Sequence, residues 1–179
     1  LGTILRDLGK LIEAEFSTRK AIELNPNLAN IHLNLGNILA DLGNFKQAEI
    51  SLRKSLVIKP DFVEAYSNLG GLLCDLGKSK EGEKLQRKAI RLSPNSAQAN
   101  HNLAFTLLKA KNFKEGWKLY EWRWETKANK NKKKTFLTFK PFWEPENRGR
   151  VLIWPEQGVG DELLFASLIP DLNEKVDKL

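Results

Sequence analysis

The chain has 179 residues, of which 41% are hydrophobic and 28% are charged, and its formal net charge is +7. This composition is ordinary for a globular protein of one domain, or of one domain and part of another. The single cysteine, Cys74, excludes an intramolecular disulfide and a cysteine-built metal site, and no apolar run approaches the ~20 residues that span a bilayer. We therefore expect a cytoplasmic protein with no membrane span, no metal and no cofactor.

A repeat of 34 residues organises the chain from its first residue. Leucine, glycine and proline recur at this interval, as Leu1, Leu35, Leu69 and Leu103, as Gly9, Gly43 and Gly77, and as Pro26, Pro60 and Pro94. Small residues recur with them, as Gly2, Gly36, Gly70 and Ala104, and as Ala14, Ala48, Gly82 and Gly116. Since the sequence lacks methionine and starts within a repeat, we expect it to be a fragment of a longer protein.

Each repeat predicts a helical hairpin. In the second unit, Ile31, Leu35, Ile38, Leu39 and Leu42 fall on one face of a first helix, and Phe45, Ala48, Leu52, Leu56 and Ile58 line a second helix. The turn at Gly43 separates the two helices, and Pro60 prevents the second from continuing. Because one hairpin cannot bury its own apolar face, neighbouring hairpins are expected to stack into a superhelix.

The segment "NLGNILADLGNFKQAEISLRKSLVIKP" resembles the tetratricopeptide repeat (TPR) family. The resemblance covers residues 1–126, as one truncated unit and three whole ones. It implies an all-α fold, a right-handed superhelix of antiparallel helix pairs. It also implies that the first helices line a concave groove, which in this family holds proteins or peptides.

Asparagines recur along the predicted groove. Asn34, Asn68 and Asn102 each precede the Leu-Gly or Leu-Ala pair, and six further polar residues share their face: Asn30, Asn37, Asp41, Ser67, Asp75 and His101. An asparagine amide both donates and accepts, so a ladder of them can pair with a peptide backbone of any sequence. It resembles the asparagine ladder of O-GlcNAc transferase TPR arrays. The alternative is that these amides bond neighbouring helices and stabilise the stack.

Four residues are interpreted individually. Glu64 and Asn68 stand where the clamp of chaperone-binding TPR domains needs cationic side chains, so a ligand carboxylate would meet the wrong charge. His32 is predicted to be a satisfied histidine at a helix interface, and Cys74 to be a small apolar residue on a helix.

Aromatic residues and lysines mark the end of the repeats. The last unit departs from the pattern at "WKLYEWRWETK", where we expect the aromatics to cover the end of the solenoid. A sugar-binding platform is the alternative. Five lysines lie within residues 127–134, and we interpret residues 127–149 as a basic and aromatic linker. Nucleic-acid binding through these lysines is a remote hypothesis.

Residues 150–179 read as a strand, a glycine turn and a helix, the opening unit of an incomplete α/β domain. The glycines Gly158 and Gly160 would bring the backbone close to a nucleotide, and Asp161 is a natural N-cap. "GVGDELLFASLIPDL" resembles the start of heptosyltransferase-like (family 9 type) glycosyltransferases, as in bacterial fusions of TPR arrays with such enzymes. The resemblance implies a GT-B fold, a nucleotide sugar, and Asp161 as a general base in a full-length parent.

Two functions follow from the sequence. In the first, the chain is the substrate-recruiting part of a larger glycosyltransferase, which cannot catalyse glycosyl transfer by itself. In the second, it is a free-standing TPR adaptor with no enzymatic activity. Both predict an extended peptide or protein in the concave groove, and neither predicts an oligomeric state.

Overall fold

A computed structural model describes residues 1–126 of the chain. The predicted linker at 127–149 and the predicted strand, turn and helix at 150–179, with Gly158, Gly160 and Asp161, lie outside the described residues.

The described part is an all-α superhelix of antiparallel helix pairs, built from eight α-helices and a final 3-10 helix. They are α1 (Gly2–Asp7), α2 (Leu11–Leu24), α3 (Ala29–Asp41), α4 (Phe45–Ile58), α5 (Val63–Asp75), α6 (Ser79–Leu92), α7 (Ala97–Lys109), α8 (Phe113–Tyr120) and the 3-10 helix Glu121–Glu125. The chain therefore alternates a first helix (α1, α3, α5, α7) with a second helix (α2, α4, α6, α8), as the repeat predicts. The core runs without a break from α3 to α5 through Leu35, Leu39, Leu52, Leu69 and Leu73.

The turns within the hairpins follow the predicted glycines. Gly43 has a φ of 77°, a left-handed conformation that glycine adopts without a steric penalty. The same turn occurs in each unit, but in the last one a lysine, Lys111, takes this conformation with a φ of 62°. That turn is consequently strained relative to the others.

Small residues permit the close approach of paired helices. A β-carbon built on Gly82 would lie 2.5 Å from the carbonyl oxygen of Gly70, and one built on Gly36 would lie 2.6 Å from Cγ of Leu52. Neither distance is compatible with a real side chain. The recurring small residues therefore fix how tightly the two helices of a hairpin pack.

The junctions between units share one hydrogen bond. His32, Tyr66 and Asn100 lie 34 residues apart, and each bonds the carbonyl oxygen of the proline six residues before it. The distances are 2.8 Å for His32, 3.0 Å for Tyr66 and 2.8 Å for Asn100. His32 is buried, so the prediction of a satisfied histidine at a helix interface is confirmed. This position of the repeat requires a side chain that donates a hydrogen bond, and three different residue types meet the requirement.

The second helices are joined by a ladder of arginines. Arg19, Arg53 and Arg87 each bond a glutamate four residues earlier in the same helix and an acceptor 28 residues later in the next second helix. The later acceptors are Gln47, Glu81 and Glu115. Arg87 grips Glu115 with two nitrogens at 2.8 Å each, and this bond lowers the pKa of the Glu115 carboxyl. Such bidentate pairs are stronger than single contacts.

The last hairpin ends differently from the others. α8 has 8 residues where α4 and α6 have 14, and the chain continues as the 3-10 helix, which packs on α7. Arg123 is buried there, with its guanidinium carbon 4.7 Å from the ring centre of Tyr120 and 4.5 Å from that of Trp124. Aromatic side chains thus pack around Arg123 at the end of the described helices.

Candidate peptide-binding groove

A groove of about 810 Å³ runs along the first helices. Its walls come mainly from α3, α5 and α7, and side chains of second helices, Phe45, Leu52 and Gln86, contribute to its floor. Phe45 belongs to the apolar stripe predicted for α4, yet it remains 43% exposed because it borders this groove.

Most of the residues predicted for a peptide site lie in this groove. Its lining includes Asn37, Asp41, Ser67, Asn68, Asp75 and Asn102. Asn34, Asn30 and His101 lie outside that lining. The repeat register therefore brings two of the three ladder asparagines, and four of their six predicted neighbours, to one surface.

The two lining asparagines bond across neighbouring first helices. Nδ2 of Asn68 in α5 donates to Oδ1 of Asn37 in α3 at 2.9 Å, and Nδ2 of Asn102 in α7 donates to Oγ of Ser67 in α5 at 2.8 Å. Nε2 of Gln98 also donates to Oδ1 of Asn102 at 2.8 Å. Asn68 and Asn102 therefore have the structural role given above as the alternative to peptide binding, since they bond neighbouring helices. Each amide retains a second N–H and a carbonyl lone pair, so the bonds do not exhaust its capacity for a ligand.

Charged side chains of the groove are largely paired with each other. Arg6 bonds Asp41 at 2.5 Å, and Nζ of Lys109 donates to Asp75 at 2.8 Å, which raises the pKa of Lys109. Glu64 also lines the groove and is exposed. Among the described residues, it is the charged member of the lining with no ion pair.

One fully buried polar residue lies beneath the groove. Gln86 is 0% exposed, and its Nε2 reaches the carbonyl oxygen of Asn102 at a long 3.5 Å. Its Oε1 has no hydrogen-bond partner among residues 1–126. The equivalent position of the preceding unit holds Leu52. Sequence patterning did not single out Gln86, although its place in the 34-residue register marks it as a polar residue at a core position.

An aromatic cluster surrounds His101 in the last described repeat. The rings of Phe105 and Tyr120 lie 4.8 and 5.7 Å from that of His101, and Trp117 contacts Tyr120 at 5.5 Å. Burial, and secondarily the positive charge of Arg123, lower the pKa of His101. The neutral imidazole is therefore favoured, and His101 acts as part of an aromatic cluster.

Two further kinds of site are not found in residues 1–126. No three His, Cys, Asp or Glu side chains come together there in a way that could hold a metal ion. None of the helices in this range is long and apolar enough to cross a membrane. Cys74 is half-buried and lines the groove, where Oγ1 of Thr106 lies 3.4 Å from its sulfur.

Comparison with protein families identifies the repeat. Residues 2–43 match a TPR repeat model, and residues 29–62 and 63–93 match two models described as tetratricopeptide repeat. A comparison with curated protein sequences gives no match.

Solved structures share the fold. PilF of Pseudomonas aeruginosa superposes with a TM-score of 0.64 at 24% identity, covering 72% of this chain and 59% of that one. MamA of Desulfovibrio magneticus RS-1 gives 0.57 at 20% identity, covering 75% and 74%. The first TPR domain of Spaghetti (RPAP3), bound to an HSP90 peptide of sequence SRMEEVD, gives 0.57 at 23% identity, covering 62% and 87%. The glycine turns, the close helix crossings and the prolines after the second helices agree with these matches. The matches place the helical part of the chain in the tetratricopeptide repeat family.

Proposed function

We propose that residues 1–126 are a protein-binding module that holds an extended peptide in the groove along α3, α5 and α7. The groove itself carries this proposal, because it extends along three first helices and presents side-chain amides at regular spacing. Asn68 and Asn102 stand 34 residues apart in the register and are fixed by their bonds to Asn37 and Ser67. Amides that are already oriented lose little conformational entropy when a peptide binds.

A solved structure of the same fold supports peptide binding. The Spaghetti (RPAP3) domain is bound to an HSP90 peptide. Here the two cations that line the groove, Arg6 and Lys109, are each paired with an aspartate. The expected ligand is therefore an internal, extended segment held by its main chain, and not a chain end held by its carboxylate.

The test replaces the asparagine ladder. The two ladder asparagines that line the groove are replaced in one variant, Asn68→Ala with Asn102→Ala, and binding is measured to peptides of about 12 residues, roughly 40 Å when extended. The peptides are first selected on the unaltered full chain from a displayed random library. We expect a clear loss of affinity with the helical circular dichroism spectrum retained. Unchanged binding would contradict the proposal.

Asn100→Ala is the matched control. It removes two hydrogen bonds of a buried asparagine, those to the carbonyl oxygens of Pro94 and Ser96, at a position outside the groove lining. It should lower stability to a similar extent, since each such bond contributes about 1 kcal/mol. A loss of binding in the ladder variant but not in Asn100→Ala separates ligand contact from general destabilisation.

We further propose that this module recruits substrates for a glycosyltransferase. The support is the sequence "GVGDELLFASLIPDL" and its resemblance to the start of heptosyltransferase-like enzymes. By this resemblance, Gly158 and Gly160 would approach the nucleotide sugar, and Asp161 would act as general base. The test is the coding sequence beyond Leu179. Roughly 200 further residues of alternating strands and helices would support it, together with nucleotide-sugar binding by the whole protein. Without such a continuation, the function is that of a free-standing adaptor.

A further inference from the structure

The two sets of helices differ in charge. The first helices α1, α3, α5 and α7 carry four acidic residues and two basic ones; they are Asp7, Asp41, Glu64 and Asp75, with Arg6 and Lys109. The second helices α2, α4, α6 and α8 carry twelve lysines and arginines and seven glutamates. The concave side is consequently the negative side of an otherwise basic array. Such an asymmetry favours positively charged ligands on the concave side.

Ion pairs within the groove leave one of its negative charges, that of Glu64, without a partner cation among the described residues. Arg6 neutralises Asp41, and Lys109 neutralises Asp75. Glu64 remains exposed and has no ion pair within the part of the chain that the structure describes. It lies one helical turn before Asn68 on α5, so the two side chains share a face of the groove.

We infer that the groove selects peptides with a lysine or arginine side chain positioned to pair with Glu64, and that it discriminates against acidic peptides. The inference rests on the proposed peptide binding and names its ligand class. The peptide main chain would lie against Asn68 and Asn102, and the cationic side chain would reach back to the carboxylate of Glu64 one turn away. An acidic side chain at the same place would meet like charge in a groove whose own cations are already paired.

The test begins with selection. Random peptides of about 12 residues, displayed on phage, are selected on the full chain and eluted. We expect the recovered pool to be enriched in lysine and arginine and depleted in aspartate and glutamate relative to the starting library. Peptides that need Asn68 and Asn102 for binding but have the charge composition of the library would overturn this inference and leave the proposed function intact. Recovery of no peptide that depends on these asparagines would overturn both.

Charge variants then locate the effect. An enriched cationic peptide is labelled with fluorescein, and its affinity is measured by anisotropy for the unaltered chain, Glu64→Gln and Glu64→Lys. An exposed ion pair of this kind corresponds to about a two- to fivefold change in affinity. We expect that loss in Glu64→Gln, a larger loss in Glu64→Lys, and a smaller difference between the chains at high salt. Equal affinity of the cationic peptide for all three chains would overturn the inference.

Two controls keep the result specific. Glu23→Gln removes the same charge from an exposed residue of α2 outside the groove lining, and it should leave affinity unchanged. A version of the peptide with glutamate in place of lysine should bind Glu64→Lys more tightly than it binds the unaltered chain. Because Glu64 lies in the first turn of α5, where the helix dipole favours an acid, helix content is checked by circular dichroism.

Discussion

Replacing Gln86 with leucine should stabilise the protein. Gln86 is fully buried between α6 and α5, its Oε1 has no partner among residues 1–126, and its Nε2 makes one long contact of 3.5 Å. Leu52 occupies the equivalent place in the preceding unit. Its Cγ lies 2.6 Å from the position that a β-carbon on Gly36 would take, and Cγ of Gln86 lies 2.6 Å from the same position on Gly70. A leucine therefore fits the existing helix crossing.

The expected gain follows from these contacts. A buried polar atom without a partner costs about 1–3 kcal/mol, which the substitution recovers. The buried apolar side chain of the new leucine stabilises the fold further. The contact between Nε2 and the Asn102 carbonyl is lost, but at 3.5 Å it contributes little. We expect Gln86→Leu to raise the free energy of unfolding by about 1–2 kcal/mol.

Urea unfolding followed by far-ultraviolet circular dichroism measures this change. The mirror variant Leu52→Gln places the amide where the leucine now packs, and it should destabilise by about 2–4 kcal/mol. Together the two variants exchange leucine and glutamine at equivalent positions of neighbouring units. A lower midpoint for Gln86→Leu would refute the reasoning, since it would mean that an ordered water satisfies Oε1 and that the polar network stabilises the fold.

Three further changes test other parts of the structure. Lys111→Gly should stabilise by about 0.5–1 kcal/mol because it relieves the left-handed lysine, and a loss in thermal stability would contradict this. Tyr66→Phe removes the hydrogen bond to the Pro60 carbonyl and should cost about 1 kcal/mol in urea unfolding, whereas no change would show that this bond is dispensable. Burial and Arg123 lower the pKa of His101, so stability should fall as the pH drops below the ordinary histidine value of 6.5. His101→Gln should reduce this fall, and parallel pH profiles would refute the assignment.

The repeat made the architecture predictable from the sequence. Period and residue type together determine it, since leucine and glycine at 34-residue spacing specify the helix crossing and glycine at the turn specifies a positive φ. Buried Ile38 and Leu39 in α3, and Ala48 and Leu52 in α4, lie on the faces that the periodicity predicted. The same register placed Asn68 and Asn102 on one surface.

Some contacts could not be predicted from the repeat, because different residue types make the same hydrogen bond in different units. The sequence predicts a satisfied His32 at a helix interface, but it does not predict the bond to a proline carbonyl. His32, Tyr66 and Asn100 all make that bond and share only a donor atom, so no common residue type marks it. The pairing of Arg6 with Asp41 and of Lys109 with Asp75 depends on rotamers across neighbouring units. These pairs leave Glu64 as the unpaired charge of the described groove lining, a property of the assembled groove.

The most direct test of peptide binding is an NMR titration of the isotope-labelled full chain with a peptide selected from the random library. Amide shifts report which backbone groups change their surroundings on binding. Binding in the groove predicts that the largest shifts fall on α3, α5 and α7, around Asn37, Asn68 and Asn102, and that the face of the arginine ladder at Arg19, Arg53 and Arg87 stays unperturbed. Shifts concentrated on the second helices would contradict the account, because the ligand would then occupy the convex side.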